Sequence, residues 1–116
     1  MSADTPAEIL RCDYCGRAIA ELRGEICFGY HDAAPAVRLA CKNGRCNMHN
    51  TASYDLEWFA DPECAIRASA GASAFANLPA EGWARWMRVM WACVESATPA
   101  NRERCREVSA STGFGP

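Results

Sequence analysis

Cysteine spacing gives the clearest chemical signal in the chain. In "RCDYCGRAI", Cys12 and Cys15 stand two residues apart with Gly16 directly after them, and "CKNGRCNMHN" brings Cys41, Cys46 and His49. A C-x2-C turn bends two thiolates toward one point, and a tetrahedral zinc ion takes four sulfur or imidazole donors. Cys41 can supply the third donor and either Cys46 or His49 the fourth. Four such donors close the coordination shell, which makes the ion a structural staple rather than a catalyst. The other four cysteines, Cys27, Cys64, Cys93 and Cys105, have no partner at ligand spacing and read as small buried hydrophobes. Cys64 is the best outsider among them, because a first-turn position in a helix favours a thiolate.

The elements between the two halves must bring them together. From Glu25 to His31, "EICFGYH" alternates, with Ile26, Phe28 and Tyr30 on one face; "DAAPA" supplies turn chemistry, and "VRLAC" alternates again into Cys41. Two period-two runs about a turn predict a β-hairpin that returns the chain to its own start. Residues 42–54 are rich in Asn, Gly, Ser and Thr and read as a loop. Asp61-Pro62-Glu63 has the order of an N-cap, a first helical position and an acid near the positive helix end, so a helix should start there. Gly71 weakens its alanine-rich continuation.

The strongest helical period lies in "LPAEGWARWMRVMWACVESA". Trp83, Trp86, Met87, Met90, Trp91 and Val94 fall within an arc of about 140° at 100° per residue. Such a stripe serves as core or as a contact surface, for a protein partner or for a second copy of the chain. Thr98-Pro99 resets the chain for a last helix over "ANRERCREV". The expected organisation of 1–116 is one α+β domain. Residues 1–10 form a loose lead-in, 11–50 a zinc-stapled knuckle and hairpin, 61–109 two or three helices, and 110–116 a mobile tail.

Composition narrows the function classes. The chain has 116 residues with a formal charge of -2, so nothing draws it globally to phosphate. The start "MSADTPAEIL" lacks the basic and apolar regions of a signal or transit peptide, and no apolar run approaches membrane-spanning length. The expectation is a cytoplasmic chain that engages no membrane. Eight cysteines in a reducing compartment point to metal rather than to disulfides.

The order C-x2-C, hairpin, C-x4-C over 12–49 resembles treble-clef and zinc-ribbon fingers, although C-x4-C departs from their usual second pair. That resemblance implies Cys12, Cys15, Cys41 and Cys46 as ligands, with His49 the alternative fourth. "RLACKNGRCNMHN" also resembles the end of an HNH endonuclease domain, with Cys41, Cys46, Asn47 and His49 matching the segment. Its Asp-His pair would have to be His31-Asp32, reversed in order and only ten residues ahead of Cys41. Two histidines can hardly supply both a general base and a full metal shell, so this resemblance implies, as a further alternative function, an HNH-like metal-dependent nuclease that is catalytically inactive. The chain also lacks a P-loop, a dinucleotide glycine pattern, a G-x-S-x-G elbow and an H-E-x-x-H motif.

The leading expectation is a non-enzymatic, zinc-binding protein-interaction module. It would be a small regulator or inhibitor of a larger machine, of the kind mobile elements and phages encode, using Trp83, Trp86, Met87, Met90 and Trp91. The alternative is a nucleic-acid-binding zinc finger. Arg38, Lys42 and Arg45 stand in the acid-free stretch between Asp32 and Asp55, where they would touch a phosphate backbone.

Overall fold

The computed structural model describes residues 5–31, 34–42, 46, 52–73 and 78–112. The chain runs α1 (Pro6–Ile9), β1 (Gly24–His31), β2 (Ala34–Cys41), β3 (Ala52–Asp55), a 3-10 turn (Leu56–Phe59), α2 (Pro62–Ser73), α3 (Ala80–Ser96) and α4 (Pro99–Thr112). The three strands form one antiparallel sheet in the order β2-β1-β3. The α+β class expected from the sequence is present.

The alternation in β1 and β2 forms the predicted hairpin, from Gly24 opposite Cys41 to His31 opposite Ala34. Pro35 sits within β2, opposite Tyr30. An edge strand tolerates a residue that cannot donate to the ladder. The expected loop over 42–54 is corrected at its end, because Ala52–Asp55 pairs with β1 as β3. A four-residue strand carries too little alternation to be read alone, and the free edge of β1 selects it.

Each face of the sheet has its own role. Ile26, Phe28, Val37 and Leu39 are buried on one face and join the main core with Leu56, Phe59 and Trp86. On the opposite face, Cys27 and Ala40 are buried beneath Cys12 and Cys46.

Trp86 is the centre of the main core and has no exposed surface. Its ring lies 5.3 Å from Phe28 and 5.4 Å from Phe59, centroid to centroid. Its indole N–H donates to Ser69 Oγ at 2.8 Å, so the buried donor is satisfied. Trp86 and Met90 are therefore core residues, a correction to their reading as contact residues. The buried side of α3 carries Gly82, Trp86, Val89 and Cys93. It is turned by about 100°, one residue step, from the centre of the apolar stripe. Small side chains at Gly82 and Ala92 let neighbouring elements approach closely on that side, and Met87 and Trp91 are left 45% and 51% exposed.

Helix signals were largely legible. Asp61 Oδ2 accepts the Glu63 amide at the start of α2, and Thr98 Oγ1 accepts the Asn101 amide at the start of α4. The last helix continues to Thr112, beyond the expected boundary at 109. It is held by buried Asn101, whose Nδ2 donates to Glu57 Oε2, and by Arg104 on the same carboxylate. The loose lead-in over 1–10 is corrected in its second half, where Pro6–Ile9 is helical and Leu10 is 3% exposed; residues 1–4 lie outside the described residues. Ala74–Asn77, from the alanine-rich continuation of α2, and residues 113–116 of the expected tail lie outside the described residues.

Cys64, Cys93 and Cys105 are buried, as expected of small hydrophobes. Cys64 is 3% exposed despite its place in the first turn of α2. Burial pushes the Cys93 thiol above its ordinary 9.0 and the Cys105 thiol up to about 12. Both folded-state values are raised, so their contribution to stability is complete below 9.0 and is lost as pH climbs above it. Each thiol should steepen the alkaline loss by about 1.4 kcal/mol per pH unit. Urea melts across this range should show a shallower slope for Cys93→Ala than for the parent. Parallel slopes would mean that Cys93 ionises freely in the folded chain.

Candidate metal centre

The knuckle is itself a small hairpin. Arg11 and Ala18 form a β-bridge, flanked by Cys12 N–H to Arg17 C=O at 2.9 Å and Ile19 N–H to Leu10 C=O at 2.8 Å. Gly16 closes the turn at φ +78°. A side chain at that left-handed position would be strained. Cys12 and Cys15 thus project from a tight turn closed by its own backbone hydrogen bonds.

Asp13, between the two cysteines, docks this turn on the outer edge of β2. Its amide donates to Leu39 C=O at 2.9 Å. The Leu39 amide donates back to Asp13 Oδ2 at 2.6 Å. Arg85 of α3 then grips the same carboxylate with both arms, Nη2 to Oδ1 at 2.9 Å and Nη1 to Oδ2 at 2.9 Å. Nη1 also donates to Val37 C=O at 2.8 Å. Two-pronged arginine–carboxylate pairs fix geometry as well as charge. The exposed edge of the sheet is capped in the same stroke. Close packing completes the joint: a Cβ on Gly24 would meet Ala40 O at 2.9 Å and Ile19 Cγ2 at 3.0 Å.

This docking lays the first cysteine pair over the end of β2. The Sγ atoms of Cys12, Cys15, Cys41 and Cys46 all lie within 4.8 Å of one another. Cys15 and Cys41 are 3.6 Å apart, and Cys41 and Cys46 are 3.4 Å apart. A tetrahedron with metal–sulfur bonds of ~2.3 Å has edges of about 3.8 Å. A disulfide would need ~2.05 Å. The four sulfurs therefore stand at the spacing of ligands around one ion, and all four are free thiols. Cys12 and Cys46 are buried, Cys41 is half-buried and Cys15 faces solvent.

The electrostatics agree with this spacing. Burial tends to raise the Cys12 value, but the amides of Cys15, Cys41 and Tyr14 and the Cys46 thiol outweigh it and hold it at about 6. The Tyr14 N–H lies 3.4 Å from Cys12 Sγ. Burial and the neighbouring thiols push Cys41 in the opposite direction, to about 12. The cluster readily carries one thiolate, whereas a second is opposed by the first. A divalent cation removes that opposition, and the donor set is compatible with zinc.

The other residues singled out by sequence are placed differently. His49, Asn47, Asp32 and Arg45 lie outside the described residues. Lys42 is paired with Asp55 at 2.8 Å, and Arg38 lies half-buried in β2, opposite Cys27. Trp83 is half-buried and 5.8 Å from Trp86. Asp13 and Arg85 were missed by sequence reasoning. An acid inside the C-x2-C turn was the available signal, but its partner is 72 residues away.

No protein-family model, curated protein or solved structure matches this chain. Among the described residues, no helix is long and apolar enough to cross a membrane.

Arg85→Met removes the fork but keeps a stem of similar length. It should cost about 2 kcal/mol of stability and weaken metal retention about tenfold. Thermal melts and a chelator competition check both. Unchanged metal retention would show that the knuckle does not need its tether.

Proposed function

We propose that this chain is a non-enzymatic protein-interaction module in which a structural zinc ion staples the knuckle to the end of β2. The convergence of four thiols from two distant segments carries this reading. A shell filled by four sulfurs keeps no position for water or substrate. The ion then stabilises the knuckle and the end of β2, and through Asp13 and Arg85 it steadies α3. The Met87 and Trp91 face of α3 is the contact surface. A partly exposed tryptophan beside methionine has the composition of an interaction hot spot. On this reading the chain is a small regulator or inhibitor that acts by occupying a surface of a larger assembly. Nucleic-acid contact has less support, because Lys42 is already held by Asp55.

Metal content measured against pH tests the zinc reading. Zinc and protons compete for the same sulfurs, so binding releases protons and acid reverses it. Cys12 ionises well below its ordinary 9.0, so its contribution persists above that value and is lost as pH falls through about 6. The reduced protein should hold about one zinc per chain near neutral pH and release it, with proton uptake, on acidification. Cys46→Ser should shed the metal, whereas His49→Ala should keep it. A metal-free, fully folded chain at neutral pH would end the reading.

A further inference from the structure

All eight cysteines are free thiols, and Cys15 alone among them is exposed. Cys27, Cys64, Cys93 and Cys105 are buried, out of reach of a dissolved reagent. Within the metal centre the exposure is uneven. Cys12 and Cys46 are 3% and 7% exposed, Cys41 is half-buried and Cys15 faces solvent. Two sulfurs thus form an inner edge of the cluster and two an outer edge. Along the outer edge, Cys15 Sγ and Cys41 Sγ are 3.6 Å apart. Thiols that respond to oxidants are accessible and have a second thiol within reach. Cys15 meets both conditions.

We propose that Cys15 and Cys41 are a peroxide-responsive pair that exchanges the zinc ion for a disulfide. The inference rests on the reading of the cluster as a zinc site and names its regulation. The Cys15 thiolate attacks the O–O bond of hydrogen peroxide, keeps one oxygen as a sulfenic acid and expels the other as hydroxide. The Cys41 thiolate then attacks the Cys15 sulfur, forms the S–S bond and expels the second oxygen as hydroxide. Two electrons pass from the sulfurs to the peroxide, and solvent protons convert both hydroxides to water. Closing 3.6 Å to the ~2.05 Å of a disulfide moves the sulfurs together by about 1.5 Å. Rotation of the exposed Cys15 side chain supplies a shift of that size.

The exchange keeps the joint and drops the ion. Cys12 and Cys46 alone fill half of a tetrahedral shell, too little to retain zinc against a chelator. The new bond ties the knuckle to the end of β2, the same two segments that the ion joins. Asp13 and Arg85 hold the knuckle to β2 and α3 through contacts that include no cysteine side chain. The oxidised chain therefore keeps its fold, and a dithiol that reduces the bond returns the site to zinc. Other pairings start from worse positions. Cys41 and Cys46 are 3.4 Å apart, but neither is exposed. Cys12 Sγ is on the inner edge, where it accepts the Tyr14 amide at 3.4 Å.

Hydrogen peroxide added to the reduced, zinc-loaded full chain tests the exchange. A chromogenic chelator should read about one zinc released per chain, and thiol titration in denaturant about two thiols lost. Mass spectrometry of a non-reduced digest should find Cys15 joined to Cys41, with circular dichroism of the intact chain unchanged. Dithiothreitol with added zinc should restore the starting state. Before any peroxide is added, substoichiometric iodoacetamide should label Cys15 ahead of the other seven thiols. A disulfide within one segment, Cys12 to Cys15 or Cys41 to Cys46, would overturn the pairing. So would zinc retained under peroxide, or an oxidised chain that unfolds. Zinc content before peroxide reports separately on the module reading. A zinc-loaded chain that forms no Cys15–Cys41 bond refutes only the exchange, whereas a chain without zinc refutes the site on which it rests.

Discussion

Four sulfur atoms within 4.8 Å of one another set the terms for this fold. Thiols brought so close cannot all ionise unless a cation sits among them. The chain resolves this by building both approaches to the cluster in advance. The knuckle turn is closed by its own backbone hydrogen bonds and by Gly16, and the β1–β2 hairpin delivers Cys41 through an unbroken ladder. Hydrogen-bonded backbone thus holds both segments that carry the sulfurs, and a cation among the sulfurs would neutralise them.

Asp13 and Arg85 extend that arrangement to the rest of the molecule. One carboxylate accepts the Leu39 amide and both arms of a guanidinium, joining knuckle, sheet edge and α3 at a single point. The two hydrophobic clusters lie on opposite faces of the sheet, with Trp86 in the larger and Cys27 beneath the cysteines in the smaller. Arg85 reaches from the helix on one side to the knuckle that covers the other. A metal held by the four cysteines would therefore be linked to α3 through Asp13 and Arg85.

Local chemistry is what the sequence made legible. Period-two alternation found the hairpin, C-x2-C with its glycine found the knuckle, and Asp61-Pro62 and Thr98-Pro99 found two helix starts. Features fixed by distant partners were not legible. The strand at Ala52–Asp55 exists because β1 has a free edge, and the tether at Asp13 depends on an arginine 72 residues away. The tryptophan stripe was read correctly as apolar and helical but not as divided. Periodicity describes how wide a stripe is, and tertiary packing decides which part of it meets the core. Here Trp86 turned inward and Trp91 outward.

The central claim is that one divalent ion sits at the meeting point of the two cysteine pairs. X-ray absorption at the zinc edge of the purified, reduced protein probes that directly. The account predicts a single shell of four sulfur scatterers at ~2.3 Å, collapsing when Cys12 or Cys41 is replaced by serine. A shell dominated by nitrogen and oxygen, or one unchanged by those substitutions, would contradict it.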